Sequence, residues 1–346
     1  MAGFRGVLEK AAENYKALEL KDVIELLGAG PEERPLLYAE ADRVRSARVG
    51  EDVHLRGIIE FSNHCACLCR YCGLRKGNRA IERYRMQPDE ILESARNAAG
   101  LGLKTIVLQS GEDPFYTQNI LSEIIFSIKK ELDVAVTLSV GVRPSDELAA
   151  FRKAGADRYL LKHETADPGL FAALRPGTFL KERVSNLRHL KDLGFQAGSG
   201  NMVGLPGQTV HTVARDLLLM RELNVEMAGI GPFIPHPGTP LGEYPPGNLH
   251  ITLTTLAVAR LVMPGIHLPA TTALATLHRD GRRLALQCGA NVIMPNVTPL
   301  KYRPHYSIYP NKTGIDREPG EAVSEAVSLI EGIGRGVGRG YGHATR

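Results

Sequence analysis

The feature that most constrains the fold is a regular alternation of short apolar runs with segments of helical periodicity. The apolar runs have the length and composition of β-strands and lie at residues 53–61, 105–109, 134–139, 158–162, 195–204, 227–233, 266–272 and 290–294. Most are followed by polar or glycine-rich residues and then by a helical segment long enough for a right-handed crossover. Eight such units predict an α/β fold, a (β/α)8 TIM barrel whose site lies at the carboxyl ends of the strands.

The residues on either side of the barrel define two extensions. Residues 5–48 have helical periodicity interrupted at Gly30-Pro31, which predicts an N-terminal helical extension at 1–50, a barrel at 51–310 and a C-terminal extension at 311–346. From Gly332 to Gly342 glycine alternates with arginine. That pattern also occurs in RNA-binding tails, but a terminus of this composition more simply predicts a mobile or loosely packed tail.

A dense cluster of cysteines follows the first predicted strand. Cys65, Cys69 and Cys72 have C-x3-C-x2-C spacing. Cysteine thiolates select zinc or iron-sulfur clusters, and a 4Fe-4S cluster held by three protein sulfurs keeps one iron open to another ligand. The spacing therefore predicts a 4Fe-4S site at the end of the first strand.

Two other uses of these cysteines fit the sequence less well. A structural zinc site normally has four ligands in two separated pairs, and no second pair of Cys or His follows in the chain; His64 adjoins Cys65, and adjacent residues rarely reach one metal. Five cysteines in 346 residues are too few, and odd in number, for a disulfide framework. Cys67 does not fit the three-ligand spacing and is either a non-ligand facing away or a competing ligand. Cys288 stands alone and predicts a small buried hydrophobe.

The overall composition indicates neither nucleic-acid binding nor secretion nor membrane insertion. The chain is 43% hydrophobic and 23% charged, and its net charge of +4 gives no argument for nucleic acid. The first residues are already charged and lack the apolar core of a signal peptide. No apolar stretch reaches the 18 residues of a membrane span. We therefore expect a cytoplasmic protein with no membrane contact, in a compartment that keeps thiolates reduced.

The cysteine spacing, with the aromatic Tyr71 before the last cysteine, resembles the signature of radical S-adenosylmethionine (radical SAM) enzymes. Within that superfamily, five further segments resemble the HydE maturases of FeFe-hydrogenase, and the match runs from about residue 55 to the C-terminus. The five segments are 109–114, 158–166, 202–209, 229–237 and 290–296. Biotin synthase and methylornithine synthase share the barrel and the cysteine motif and are the nearest competing families.

The resemblance implies an enzyme with one 4Fe-4S cluster on Cys65, Cys69 and Cys72 and with SAM as cosubstrate. The implied reaction is reductive cleavage of SAM to a 5'-deoxyadenosyl radical, which attacks an iron-cysteine synthon carrying CO and cyanide. The implied partners are companion hydrogenase maturases, with HydG delivering the synthon, and a reductant protein.

The resemblance also implies two sets of binding residues. The residues expected around SAM are Tyr71, Ser139, Arg158, Glu164 and Arg183. Those expected around the substrate are Ser110, Thr137, Lys162, Met227, Thr271, Thr272, Tyr306 and Tyr309. Hydroxyl groups in the second set suit an anionic guest that accepts hydrogen bonds.

The chain departs from the HydE pattern at two places. Lys162 stands where the family's segment has arginine, so the charge is kept but the planar fork for a bidentate carboxylate contact is lost. Residues 289–346 contain no cysteine, so we expect no second cluster. Two alternatives stay open at this point: a radical SAM enzyme acting on a small organic substrate, or a non-catalytic iron-sulfur carrier or scaffold.

Overall fold

Three helices precede the first strand in the structure, a computed structural model that describes residues 2–344. They are α1 (Ala2–Asn14), α2 (Leu20–Leu27) and α3 (Arg34–Val49). A reciprocal capping box between Glu19 and Asp22 starts α2, and a proline in the first turn starts α3. The helices occupy the span in which the sequence predicts an N-terminal helical extension.

The strands run along the chain much as the apolar runs predict. They are β1 (Val53–Leu55), β2 (Gly57–Ser62), β3 (Thr105–Ser110), β4 (Ala135–Ser139), β5 (Arg158–Leu160), β6 (Gln196–Ser199), β7 (Met202–Val203), β8 (Met227–Ala228), β9 (Gly231–Pro232), β10 (Val292–Ile293) and β11 (Val337–Gly338). The order β2-β3-β4-β5-β6-β8 forms one parallel sheet. Beyond it, β7 pairs with β9. Three of the predicted strands, 53–61, 195–204 and 227–233, are therefore each split into two pieces.

Single bridges close the sheet into a ring. Met227 pairs with His267, Pro269 pairs with Val292, and Ile58 pairs with Asn296, all in parallel. The predicted strand at 266–272 therefore takes its place in the barrel without a regular ladder, because Pro269 has no amide proton to donate. The predicted (β/α)8 barrel is confirmed.

Ten further helices surround the barrel or follow it. They are α4 (Pro88–Gly100), α5 (Gln118–Glu131), α6 (Ser145–Lys153), α7 (Pro168–Leu174), α8 (Leu180–Asp192), α9 (Val210–Glu222), α10 (Leu249–Val262), α11 (Thr272–Leu277), α12 (Gly281–Leu286) and α13 (Pro319–Gly332). Every residue of α10 from Thr252 onward is buried, because the N-terminal helices pack over its outer face. None of the helices within residues 2–344 is long and apolar enough to cross a membrane.

The glycine-rich end of the chain is packed against the barrel, contrary to the prediction of a mobile or loosely packed tail. Strand β11 pairs with β1, and the residues after it cross the amino-terminal end of the barrel. There the Tyr341 carbonyl accepts hydrogen bonds from Thr105 and Arg158, and the Gly342 carbonyl accepts one from Arg56. The glycines allow this close approach, since a side chain at Gly342 would collide with the ring of His54.

Candidate active site

The carboxyl ends of the strands surround a cavity of about 370 Å³ inside the barrel. All but two of the side chains that the sequence predicts for the site line this cavity. They are Cys65, Cys69, Tyr71, Cys72, Ser110, Thr137, Ser139, Lys162, Glu164, Arg183, Met227, Thr271, Thr272 and Tyr309. The residues that the resemblance and the strand-end rule predict for the site are thus brought together around one cavity.

The cysteines lie on an irregular loop that follows β2 and is held by backbone hydrogen bonds to three neighbouring segments. The Ala66 amide donates to the Glu112 carbonyl at 2.8 Å, Arg70 donates to Leu174 at 2.9 Å, and Gly73 donates to Ile308 at 3.0 Å. A Cβ at position 73 would lie 2.1 Å from the Ser307 carbonyl. Only glycine therefore fits directly after Cys72, and the loop is fixed across the mouth of the cavity.

Cys67 lies between two of the predicted ligands and lines the cavity, so the expectation that it faces away is wrong. Contact with the Cys67 thiol is the main cause that lowers the pKa of Cys65 and the pKa of Cys69, and the same contacts raise the pKa of Cys67 itself. Burial raises the pKa of Cys72. A 4Fe-4S cluster binds each cysteine through a different iron, so the three thiols need not converge on one position, and within residues 2–344 no three metal-ligating side chains do so.

A network of two arginines and two glutamates borders the cysteines. The Arg175 guanidinium contacts the Glu112 carboxylate at 3.1 Å and the Glu164 carboxylate at 3.9 Å, and donates to the Tyr71 hydroxyl at 3.0 Å. A third donor of Arg175 reaches the sulfur of Cys67 at 3.7 Å. Arg175 follows a helix and not a strand, so the strand-end rule gave no signal for it.

Arg183 presents unused donors to the cavity. One of its terminal nitrogens contacts Glu112 at 3.4 Å, while Nε and the other terminal nitrogen are buried and have no hydrogen-bond partner. A buried guanidinium with unpartnered N–H groups is suited to an anion such as a carboxylate, which would accept a charge-assisted hydrogen bond from it. The residues present therefore fit the amino-acid end of SAM on one side of the cysteine loop.

Glu164 faces the cavity from a strained turn that a buried carboxylate stabilises. Its φ of 69° lies in the left-handed region, which costs a non-glycine residue about 1–3 kcal/mol. Behind it, the fully buried Asp216 accepts from the Ala166 amide at 2.5 Å, from the Thr165 hydroxyl at 3.3 Å and from the Asn201 amide at 2.9 Å. These bonds hold the turn, and with it the direction of the Glu164 side chain.

Deeper in the cavity the hydroxyl groups differ in how they are bonded. Ser110 donates to the Gly111 carbonyl, Thr271 caps α11, and Thr272 accepts from Arg282. The hydroxyl of Thr137 is buried without a partner and is therefore free for a guest. Beside these groups, burial lowers the pKa of Lys162, and the charge of Glu164 partly opposes the effect.

Two predicted residues do not line the cavity. Arg158 begins β5, at the opposite end of the strand from the site, and its guanidinium donates to Thr105 at 3.2 Å and to the Tyr341 carbonyl at 2.6 Å. Its assignment to SAM is therefore wrong in this structure. Tyr306 is buried behind the cavity wall, where Lys312 lies over its ring at 5.1 Å, so it is not in direct reach of a substrate.

The structure adds buried polar groups that sequence reasoning missed. Arg56 and His267 line the lower part of the cavity, and each has a ring or guanidinium nitrogen without a partner. Glu60 lines the wall and is paired with Lys312. All lie within or beside predicted strands, where their polarity among apolar residues was the available signal.

Comparison with known proteins agrees with this geometry. The radical SAM superfamily matches residues 59–220. The chain is 49% identical over 309 residues to the FeFe hydrogenase maturase subunit HydE of Thermotoga maritima, which covers 89% of this chain and 88% of that protein. It is 31% identical over 288 residues to the 3-methylornithine synthase of Methanosarcina acetivorans, covering 82% of this chain and 81% of that protein.

Among solved structures, the crystal structure of methylornithine synthase superposes with a TM-score of 0.85 at 28% sequence identity. The superposition covers 96% of this chain and 97% of that one. The barrel and its N-terminal helices are therefore found together in a relative of known structure.

Proposed function

Because this chain belongs to the HydE maturase family of radical SAM enzymes, we propose that it cleaves SAM reductively during maturation of the FeFe-hydrogenase active site. It is an enzyme, and its cofactors are a 4Fe-4S cluster and SAM, as the sequence resemblance predicts. The proposal rests on one observation above the others: the unused donors of Arg183 are buried in the same cavity as Cys65, Cys69 and Cys72.

In this proposal Cys65, Cys69 and Cys72 would hold the 4Fe-4S cluster, and with three protein ligands the cluster would keep one iron open to SAM. When bound, the cluster supplies the single electron that breaks a C–S bond of SAM and releases the 5'-deoxyadenosyl radical. Arg183 binds the carboxylate of SAM through a charge-assisted hydrogen bond from its unpartnered guanidinium nitrogens. Glu164, fixed by its strained turn, accepts from the amino group. The two contacts orient the sulfonium toward the cysteine loop.

We place the substrate in the deeper part of the cavity, below SAM. The free hydroxyl of Thr137 and the amine of Lys162 offer hydrogen bonds to a small acceptor ligand, and Ser110, Thr271 and Met227 complete the wall. An iron-cysteine synthon with CO and cyanide ligands has acceptor atoms of this kind. The barrel excludes water and keeps the target atom within reach of the radical.

The reaction needs partners beyond SAM. We propose that HydG or another companion maturase supplies the synthon and that a reductant protein supplies the electron. A cytoplasmic location follows from the same chemistry, because the thiolates that hold the cluster must stay reduced.

The alternative of a small organic substrate is supported by two specific observations. The 31% identity to a 3-methylornithine synthase, together with Lys162 in place of the expected arginine, supports a small organic substrate for the same radical chemistry. A non-catalytic carrier is no longer proposed, since the family is enzymatic.

The test is anaerobic reconstitution with iron and sulfide, followed by dithionite and SAM, with and without the iron-cysteine synthon. We expect synthon-dependent formation of 5'-deoxyadenosine, which is lost in Cys69→Ala. The matched control is Cys288→Ala, because Cys288 is buried at the end of α12, away from the cavity. Nucleoside release without synthon dependence would favour the organic substrate, and no release from an intact cluster would refute the proposal.

A further inference from the structure

The positive charge of the chain is concentrated in one segment. Residues 61–85 contain six Lys and Arg residues and one acidic residue, a net charge of +5, whereas the whole chain has 42 against 38, a net charge of +4. The remaining residues are therefore slightly acidic in total. The basic segment is also the one that contains the cysteines.

Three of these cations are free at the surface. Arg70, Lys76 and Arg79 are exposed, and within residues 2–344 no carboxylate lies within 4.0 Å of any of them. Arg85, by contrast, is paired with Asp113 at 2.8 Å. Unpaired surface cations do not stabilise the fold by ion pairing, so their clustering calls for another explanation.

The other basic residues of the segment hold it in shape. Arg83 donates to the carbonyls of Leu74 and Arg75, both at 2.9 Å, and Arg75 donates to the Cys69 carbonyl at 3.0 Å. The loop therefore presents the exposed cations from a bonded framework and not from a loose chain.

The same loop covers the cysteines. Arg70 lies between Cys69 and Cys72 in the sequence, and the backbone amide of Lys76 donates to the carbonyl of Cys67 at 2.8 Å. The neighbouring Leu68 is 42% exposed. The loop that carries the cysteines thus also carries three exposed cations and an exposed apolar residue, and we call Arg70, Lys76 and Arg79 the basic face.

We propose that the basic face is the docking surface for an acidic ferredoxin, which delivers the electron for SAM cleavage. This inference rests on the proposed function. The stoichiometry balances with one carrier: reduced ferredoxin gives up one electron, and the sulfonium of SAM takes it up as its C–S bond breaks to give methionine and the 5'-deoxyadenosyl radical. Ferredoxins transfer single electrons at low potential, and an acidic partner complements the charge of the face.

A nucleic acid is the other polyanion that such a surface could attract. Single-stranded nucleic acids bind where cations are interleaved with exposed aromatic rings. In the segment 61–85, Phe61 and Tyr84 are buried, and Tyr71 is half-buried in the cavity wall. The segment that carries the basic face therefore has no exposed aromatic ring of its own, and this favours a protein partner.

The test compares two charge-reversal triples of equal charge change in the reconstituted holoenzyme. The test variant combines Arg70→Glu, Lys76→Glu and Arg79→Glu. The control combines Lys16→Glu, Arg48→Glu and Lys130→Glu, three exposed cations without an ion pair elsewhere on the chain. The probe is a plant-type 2Fe-2S ferredoxin, with its binding measured by titration and its electron transfer by anaerobic stopped flow.

We expect the test triple to lower the affinity for ferredoxin and the second-order electron-transfer rate by about tenfold or more at low ionic strength. The difference should shrink as salt is raised, because salt screens exposed charges. The control triple should stay within about threefold of the wild type. Equal effects of the two triples, or no effect of either, would overturn the docking site.

Two further measurements separate this inference from the proposed function. Dithionite does not need a docking surface, so dithionite-driven formation of 5'-deoxyadenosine should be the same in the test triple and in the wild type. If dithionite gives no nucleoside in the wild type, the proposed function fails, while ferredoxin binding still tests the basic face. Loss of binding to a single-stranded RNA oligonucleotide with unchanged ferredoxin binding would overturn the protein partner.

Discussion

Asp216 lies on α9, outside the cavity, yet the structure makes it the residue that positions Glu164. Its carboxylate is fully buried and collects donors from Thr165, Ala166 and Asn201. The perturbation that tests this role is Asp216→Asn, which keeps the shape of the side chain and removes its charge. Asp216→Ala would instead leave several donors buried without partners, at about 1–3 kcal/mol each, which is a large part of a typical stability.

The expected magnitude follows from the hydrogen bonds that change. A bond to an ionised acceptor contributes about 1.5–3 kcal/mol and a neutral one about 1 kcal/mol. Two well-formed bonds, from Ala166 at 2.5 Å and from Asn201 at 2.9 Å, would together lose about 2 kcal/mol. That loss lowers the Tm by roughly 3 °C in a chain of this size. If Glu164 then loses its contact with SAM, the Kd for SAM rises by about tenfold.

The assay is equilibrium binding of SAM to the reconstituted enzyme, alongside thermal unfolding. The matched control is Glu222→Gln, an exposed carboxylate on the same helix whose one ion pair within residues 2–344 is with Arg188 at the surface; we expect it to change neither quantity appreciably. A lower Tm with an unchanged Kd for SAM would refute the reasoning, because it would show that Asp216 stabilises the fold without positioning Glu164.

Four further outcomes test other parts of the site and the fold. Cys67→Ala should keep the iron content of the reconstituted protein, whereas Cys69→Ala should lose it, as measured by iron and sulfide analysis. Arg183→Gln should raise the Kd for SAM by about 30-fold or more, since the charge-assisted contact with the SAM carboxylate is lost; Arg183→Lys should recover only part of the affinity, because lysine keeps the charge but lacks the rigid guanidinium plane. Burial lowers the folded-state pKa of Lys162 below its ordinary 10.5, so charging it destabilises the fold. Lys162→Met should therefore raise the Tm near pH 7, and the gain should disappear above pH 10.5, where lysine is neutral in both states. Arg260→Leu should lower stability by about 3 kcal/mol in denaturant unfolding, since it leaves the buried carbonyls of Gly289, Pro264 and Ile266 without their donor.

The strand positions could be predicted because a strand in a parallel barrel is buried along its length and reads as an apolar run. Where a proline or a glycine interrupts the hydrogen bonds between strands, the apolar run predicts a longer strand than the structure has, as at 227–233 and 266–272. The tail was misjudged for a related reason. Composition indicates how freely a segment moves in isolation, but the donors of Arg56 and Arg158 that fix residues 337–344 come from strands far away in sequence.

The site was predictable where chemistry and topology coincide in one residue. The cysteines and Glu164 stand at strand ends and have side chains that suit the cofactor, so two independent arguments point to them. Arg175 has a suitable side chain but does not stand at a strand end. It lies in the loop after α7, and no strand or helix pattern in the sequence predicts that this loop reaches the cavity. The prediction for Arg158 failed for the opposite reason. Arg158 belongs to a strand that borders the site, but it is the first residue of that strand and therefore lies at the other end of the barrel.

The upper part of the cavity is electrically balanced before SAM enters. Arg175 and Arg183 face Glu112 and Glu164, so two positive and two negative charges share a space with little water. The amino-acid end of SAM is itself a zwitterion, so its entry exchanges partners without adding net charge to a buried region, and only the sulfonium brings an uncompensated positive charge. Placing that charge beside thiolates lowers its desolvation cost. The unpartnered N–H groups of Arg183 then fix the orientation of the zwitterion, because both terminal nitrogens of Arg175 are already engaged by the two carboxylates and by Tyr71.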